Sequence, residues 1–394
     1  MMTASMNQEN TVAVGSILLF QRIVPSYRVS VFHYLSRHLG IVICHSISSI
    51  SGVSSAHSEM NADSEILPGR FLFNKRILFS QRVGSVLKRY RPRCVICEYS
   101  LGNLTFWKLW LLRPVFDFKL VLWSHGIQNQ AMVKYSRDKH ARLTDYMLRS
   151  CDAAILYSRQ RRDRLVERNP TVSDKCFVAN NTLDTQALIR LSNTLSSKRQ
   201  GDVRSAIGVH TRFNMVYIGR LLSDKRIDLI VESWKILRSH YNVGLLVIGD
   251  GPDMELICDY SASDGVYALG AIHDTNKSAP YLYCSDIMIM PGYVGLSIVH
   301  GFAFGLPMIT CRSTENGPFH SPEIEYLKDG YNGFFCDSTP ESIAACIERL
   351  ILDPELLARM KENALETVRT EANVERMIDG FRQAIDYVTR DDKR

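Results

Sequence analysis

The sequence of 394 residues predicts an α/β protein made of two doubly wound parallel sheets that face a cleft. Three observations lead there. Apolar, β-rich runs alternate with helical segments along the chain, as parallel sheets covered on both faces require. The alternation stops at a polar stretch, Ser192–Arg204, and then begins again. Glycine-bearing motifs fall where strands end, and open α/β sheets bind ligands at those ends.

In the first half, VAVGSILLF (Val12–Phe20), IVICHS (Ile41–Ser46), CVICEY (Cys94–Tyr99), KLVLWSH (Lys119–His125), AAILYS (Ala153–Ser158) and KCFVAN (Lys175–Asn180) read as strands. Helices lie between them, including Tyr27–His38 and Arg142–Ser150. The second half starts with NMVYIG (Asn214–Gly219) and continues through VGLLVIGDG (Val243–Gly251), VYALGAI (Val266–Ile272), DIMIMPG (Asp286–Gly292), PMIT (Pro307–Thr310) and GFFCD (Gly333–Asp337). Helices at Pro340–Leu352, Pro354–Glu371 and Val374–Tyr387 end the chain. The domain boundaries expected from this pattern are 1–190, a linker over 191–212, a second domain over 213–372, and a C-terminal helix, 373–394, packing back on the first domain.

Composition excludes several classes. With 46% hydrophobic and 22% charged residues the chain has ample core for a globular protein. The ten cysteines are scattered and mostly in apolar strand-like runs, so they read as reduced core residues of a cytoplasmic protein. Cys94 and Cys97 share a strand and point to opposite faces, which argues against a metal or redox pair. Residues 1–10 do not resemble a signal peptide. The most apolar window, Phe106–Trp123, is interrupted by Lys108, Arg113, Pro114, Asp117 and Lys119, too soon for a spanning helix.

Charge is uneven. Residues 1–185 hold 25 Lys+Arg against 13 Asp+Glu, whereas the rest hold 22 against 28. KRYRPR (Lys88–Arg93) and SRQRRDRLVER (Ser158–Arg168) are the densest basic patches. They suit an anionic membrane surface or a phosphorylated acceptor. With only Tyr90 in the first and no aromatic in the second, neither has the interleaved pattern of a nucleic-acid site, so no nucleic-acid partner is expected. Trp107, Lys108, Trp110 and Arg113 form an aromatic and basic segment suited to a bilayer surface or to a core helix with snorkelling cations.

Two motifs carry the chemistry. PGYVGLSIVHGFAFGLP (Pro291–Pro307) reads as a strand end, a glycine-bearing loop and a helix start with open N–H groups. GRLLSDKR (Gly219–Arg226) puts Arg220 and Lys225 in the loop after another strand. Two cations and a helix start converging on one crevice make a diphosphate site, which points to a nucleotide-sugar enzyme. IGDGP (Ile248–Pro252) supplies a further turn at Gly251.

The order GRL…DKR, IGDGP, P-G-x-V-G-L-S-x-x-H-x-x-A-x-G-x-P and SPEIEYLKDGYNGFF resembles the family 4 retaining glycosyltransferases, in particular their bacterial polysaccharide-biosynthesis branch. NNTLDT (Asn180–Thr185) fits as well. The resemblance implies the GT-B fold, with two Rossmann-like domains: an N-terminal acceptor domain and a C-terminal donor domain. It implies that Arg220 and Lys225 hold the donor diphosphate, and that Gly219, Gly251, Gly292, Tyr293, Val294, Gly295, Leu296, Ser297 and His300 line the donor site, with Glu323 and Glu325 in contact with donor or nucleotide. Gly292 and His300 stand where most of the family has glutamates, so any sugar contact near Gly292 falls to backbone N–H groups of Tyr293–Ser297. His125 resembles the family histidine that reaches the donor sugar across the cleft. Arg22, Tyr27, Arg28 and Glu98 are the acceptor candidates, and His320 lies beside the cleft.

The implied activity is retaining transfer of a sugar from a nucleotide-diphosphate sugar to an acceptor hydroxyl, by a same-face route, on a glycan or lipid-linked glycan of the cell surface. No D-x-D motif or His/Cys cluster lies near these loops, so no metal and no cofactor are expected. The expected location is the cytoplasm, peripheral on the inner face of the membrane. A nucleotide-sugar hydrolase or epimerase on the same scaffold, and a non-catalytic sugar-nucleotide-binding protein, are the alternatives.

Overall fold

A computed structural model describes residues 15–47, 55–60, 64–72, 77–80, 82–100, 102–124 and 139–390. Two parallel sheets organise them. The first runs β3-β2-β1-β6-β7-β8-β9, with β1 (Ile17–Phe20), β2 (Ile41–His45), β3 (Ser64–Ile66), β6 (Cys94–Glu98), β7 (Lys119–Ser124), β8 (Ala153–Leu156) and β9 (Cys176–Val178). The second runs β12-β11-β10-β13-β14-β15, with β10 (Phe213–Ile218), β11 (Val243–Ile248), β12 (Val266–Ala268), β13 (Ile287–Ile289), β14 (Met308–Cys311) and β15 (Gly333–Cys336). A separate antiparallel hairpin pairs β4 (Gly69–Leu72) with β5 (Ile77–Ser80).

Both sheets are buried on both faces, which explains why their strands read as continuous apolar runs. In the first, Ile17, Leu19, Cys94 and Ile96 pack on one side with Phe32 and Leu35. Leu18, Phe20, Val95 and Cys97 pack on the other with Val86, Leu87, Phe106 and Leu109. Cys94 and Cys97 thus lie in different cores, and all ten cysteines are free thiols. The second sheet is enclosed by one core that includes Trp234, Phe302, Ile343 and Met360.

Ser192–Arg204, expected as a linker, is largely helical: Thr185–Ser196 and Gln200–Ala206 are helices. Leu188 and, half-buried, Leu191 and Leu195 join the second core from the first of these helices, with Leu183 just before it, and Val203 of the second helix is buried. The Val374–Thr389 helix packs on the first sheet through Met377, Ile378, Phe381 and Ile385. Phe381 meets Trp123 edge to face, with ring centroids 5.1 Å apart. Three strands escaped the sequence reading: β3, a three-residue edge strand, and the β4–β5 hairpin, flanked by residues outside the described set.

Each sheet reverses its winding once, where two neighbouring strands send their chains to opposite sides and open a crevice. In the first sheet the reversal lies between β1 and β6, and in the second between β10 and β13. The loops that leave those four strands therefore line the two crevices.

Candidate functional site

The second crevice is assembled by close backbone packing. Gly292 N–H donates to Lys225 O at 3.2 Å and Tyr293 N–H to Asp224 O at 2.8 Å. A Cβ at Gly292 would stand 2.1 Å from Asp224 O, so no other residue fits there without moving the backbone. Gly251, at φ 156°, lies against Leu221 in the same way: a Cβ would stand 2.2 Å from Leu221 O. Gly219 follows β10 at φ 151°. The loops after β10, β11 and β13 are thus stacked main chain on main chain.

Arg220 is exposed beside this stack. Lys225 is half-buried, its Nζ donating to Tyr293 O at 2.5 Å and lying 4.3 Å from the Tyr293 ring centroid. Burial lowers Lys225 from 10.5 to about 8, with nearby Asp224 opposing the shift and Arg220 adding to it. An incoming diphosphate supplies the countercharge that Lys225 lacks here.

The backbone donors expected over Tyr293–Ser297 divide into two groups. Tyr293 N–H is held by Asp224, and Val294 N–H donates to His320 Nδ1 at 3.2 Å. The N–H groups of Gly295, Leu296 and Ser297 take no partner among the described residues. They open the seven-residue helix Ser297–Ala303, too short for its dipole to contribute much. His300 lies in that helix, half-buried, with Nδ1 buried and unpartnered among the described residues. Burial pulls its pKa to about 4, so the ring is a neutral imidazole.

His320 acts as a latch. Because Nδ1 accepts from Val294, Nε2 carries the proton and donates to Cys311 O at 2.8 Å. Ser321 N–H returns a bond to Val294 O at 2.9 Å. The sequence placed His320 beside the cleft, and the structure places it under the loop that follows β13.

Glu323 and Glu325 join the two halves. Glu325 accepts from the N–H groups of Arg159 and Gln160, at 3.2 and 2.9 Å, at the start of the Arg159–Arg168 helix. An across-domain carboxylate at a helix N-terminus is a favourable use of its charge. Glu323 is buried, accepts from Asn181 Nδ2, and keeps Oε2 without a partner among the described residues. Asn181 in turn accepts from Arg28 Nη2 at 3.0 Å. A buried polar chain, Arg28–Asn181–Glu323, therefore runs from the first half to the second. Asn181 was legible only as part of NNTLDT.

Of the acceptor candidates, Arg22 and Glu98 meet at the first sheet's winding reversal, joined through Arg22 Nη2 and, at 3.2 Å, Nε. Tyr27 is exposed. Arg28 is buried, its guanidinium 4.8 Å from the Trp123 ring centroid and 5.3 Å from that of Tyr157, so it braces the interior rather than facing the cleft. His125 lies outside the described residues, immediately after Ser124 at the end of β7.

The Ser158–Arg168 basic patch faces the second half: Ser158 Oγ caps Arg161 N–H, and the Arg161 side chain is buried beside Glu323. In the Leu104–Phe116 helix, Trp110 and Arg113 bond Ser150, and Leu111 and Val115 are the exposed apolar residues. Among the described residues there is no cluster of metal-binding side chains, and no helix is long and apolar enough to cross a membrane.

Comparison with known proteins bears on the fold and on the second half of the chain. Residues 203–367 match the family model described as "Glycosyl transferases group 1". N-acetyl-alpha-D-glucosaminyl L-malate synthase of Bacillus anthracis is 26% identical over 45% of this chain and 46% of its own length. Alpha-monoglucosyldiacylglycerol synthase of Acholeplasma laidlawii is 24% identical over 44% and 43%. These matches span a little under half the length of those curated relatives. The Anabaena protein Alr3699/HepE, solved in complex with UDP, superposes with a TM-score of 0.69 at 14% identity over 95% of this chain and 100% of that one. The chain therefore has the GT-B fold, and its residues 203–367 carry the pattern of the glycosyl transferases group 1 model.

Proposed function

We propose that the chain is a retaining glycosyltransferase that moves a sugar from a nucleotide-diphosphate sugar to an acceptor hydroxyl in cell-surface polysaccharide biosynthesis. The observation that carries this reading is the convergence of Arg220, Lys225 and the open N–H groups of Gly295–Ser297 on the winding reversal of the second sheet. As the glycosidic C–O bond breaks, its electron pair goes to the diphosphate oxygen, and these cations and donors stabilise that charge. The acceptor hydroxyl gives its proton to a leaving-phosphate oxygen on the same face, so the chemistry calls for no enzyme nucleophile, metal or cofactor. His300 is assigned to a ribose hydroxyl through Nε2, since its Nδ1 is buried, and His125 is assigned to the donor sugar from across the cleft.

UDP-sugars are the first donors to test, because structural neighbours were solved with UDP and UDP-glucose. Calorimetry against UDP-, GDP-, dTDP- and ADP-sugars should single out one nucleotide. With that donor, Arg220→Ala is expected to weaken binding and turnover together at an unchanged melting temperature. His125→Ala is expected to keep affinity and lose turnover. Hydrolysis without any glycan acceptor would support the hydrolase alternative, and binding without turnover the non-catalytic one.

The pH dependence follows from Lys225. Its folded pKa, about 8, lies below its ordinary 10.5, so between these values the unfolded chain holds more protons and folding stability rises with pH. Diphosphate binding runs the other way, because the dianion needs the proton on Nζ. Nucleotide affinity should fall about tenfold per pH unit above pH ~8. Lys225→Met should bind more weakly with a flat profile, and a wild-type profile in that variant would refute the assignment.

Gly292→Ala places a methyl group against Asp224 O and should displace the loop, costing about 1–3 kcal/mol of stability and most nucleotide binding. Thermal melting and calorimetry on the same sample test both effects.

An anionic membrane surface is the proposed partner of the basic first half, with Leu111 and Val115 as the apolar contacts. Co-sedimentation with phosphatidylglycerol vesicles, reduced by salt and by Leu111→Ser with Val115→Ser, is the expected result. No sedimentation at low salt would remove this partner.

A further inference from the structure

The loop that holds Tyr293 has a second side. A cavity of about 710 Å³ opens there, lined among others by Asp224, Arg226, Tyr293, Arg312, Phe319 and Asp337. Its volume falls within the roughly 300–1,000 Å³ of small-molecule sites. Arg161, from the first half of the chain, also lines it, so both halves enclose it. Arg220, Lys225 and the open donors Gly295–Ser297 are not among its lining residues. Asp224 and Arg226 line the cavity while Lys225 between them does not and bonds Tyr293 O, so the diphosphate cations and the cavity adjoin at Tyr293.

The charges of the cavity select its ligand. Three guanidinium groups line the cavity: Arg226 is tied to both oxygens of Asp228, at 2.8–3.1 Å, Arg312 to Asp329 at 2.9 Å, and Arg161 lies beside the Glu323 carboxylate, so each already has its countercharge. Asp224 and Asp337 take part in none of the ion pairs among the described residues. The balance disfavours an anion. The lining also offers these two carboxylates, the Asn316 amide, the Ser338 hydroxyl and the rings of Tyr293 and Phe319. A pyranose ring offers the complement: an apolar C–H face for an aromatic ring and a rim of hydroxyls for carboxylate and amide acceptors.

We propose that this cavity binds a neutral sugar unit of the acceptor glycan, next to the donor diphosphate site and separate from it. The proposal rests on the glycosyltransferase reading and assigns part of acceptor recognition to the second half of the chain, whereas the sequence pointed only to the first.

The test uses the full chain and the methyl glycosides of glucose, galactose, mannose, N-acetylglucosamine and rhamnose, with saturation-transfer NMR and calorimetry, with and without saturating UDP. At least one glycoside should bind in the millimolar range and remain bound when UDP is present. Phe319→Ala and Asp337→Asn should each weaken it about tenfold, the scale of one lost aromatic or hydrogen-bond contact, with UDP affinity and melting temperature unchanged. Absence of saturable glycoside binding, displacement by UDP, or indifference to both substitutions would each overturn the proposal. So would inorganic phosphate binding that Arg312→Gln abolishes, which would make the cavity an anion site. A wild-type chain that binds glycoside but no nucleotide would count against the nucleotide-sugar reading instead, so the two failures are told apart.

Discussion

Contact between two stretches of main chain, Asp224–Lys225 and Gly292–Tyr293, fixes the geometry of the second crevice. It forms because position 292 has no side chain, and the Gly251 turn repeats the device against Leu221. Each layer positions the next: Lys225 is held over Tyr293, Val294 is latched by His320, and the three N–H groups that follow are left unpartnered among the described residues. A cation on a flexible side chain becomes a fixed one, and fixed charges do not have to reorganise when charge moves in a reaction.

Water exclusion then sets the protonation states. Burial makes Lys225 a weaker base and keeps His300 neutral, and an arriving diphosphate favours the proton on Lys225 by supplying its countercharge. The polar chain through Arg28, Asn181 and Glu323 adds charged groups at the junction of the two halves, with Arg28 Nη1 and Glu323 Oε2 both left unpartnered among the described residues. Buried polar groups of this kind are costly unless satisfied, which makes the junction sensitive to small rearrangements.

The alternating pattern and the strand-end glycines were legible in the sequence because parallel sheets impose both locally. Gly292 was legible as a departure from a motif, but its physical reason was not: the atoms it would strike belong to residues 224 and 225, distant in sequence. Arg28 illustrates the same limit. At a strand-to-helix loop it read as a cleft residue, yet Trp123 and Tyr157, contributed by β7 and by the end of β8, bury it. That Ser192–Arg204 is largely helical was hidden by its polar composition, because the packing of Leu195 and the burial of Val203 are tertiary facts. Glu325 read as a ligand contact since nothing in SPEIEY announces a helix start, at Arg159, more than 160 residues earlier in the chain.

The course of the C-terminal helix has a mechanical consequence. The chain leaves the first sheet near Asn181 and comes back to it at Asn373, and the two passages touch where Thr182 Oγ1 donates to Ala372 O at 2.7 Å. Two passages of polypeptide crossing side by side tie the halves along a line rather than at a point, so the halves keep fewer relative freedoms than a single linker would leave them, and holding them together costs correspondingly little entropy.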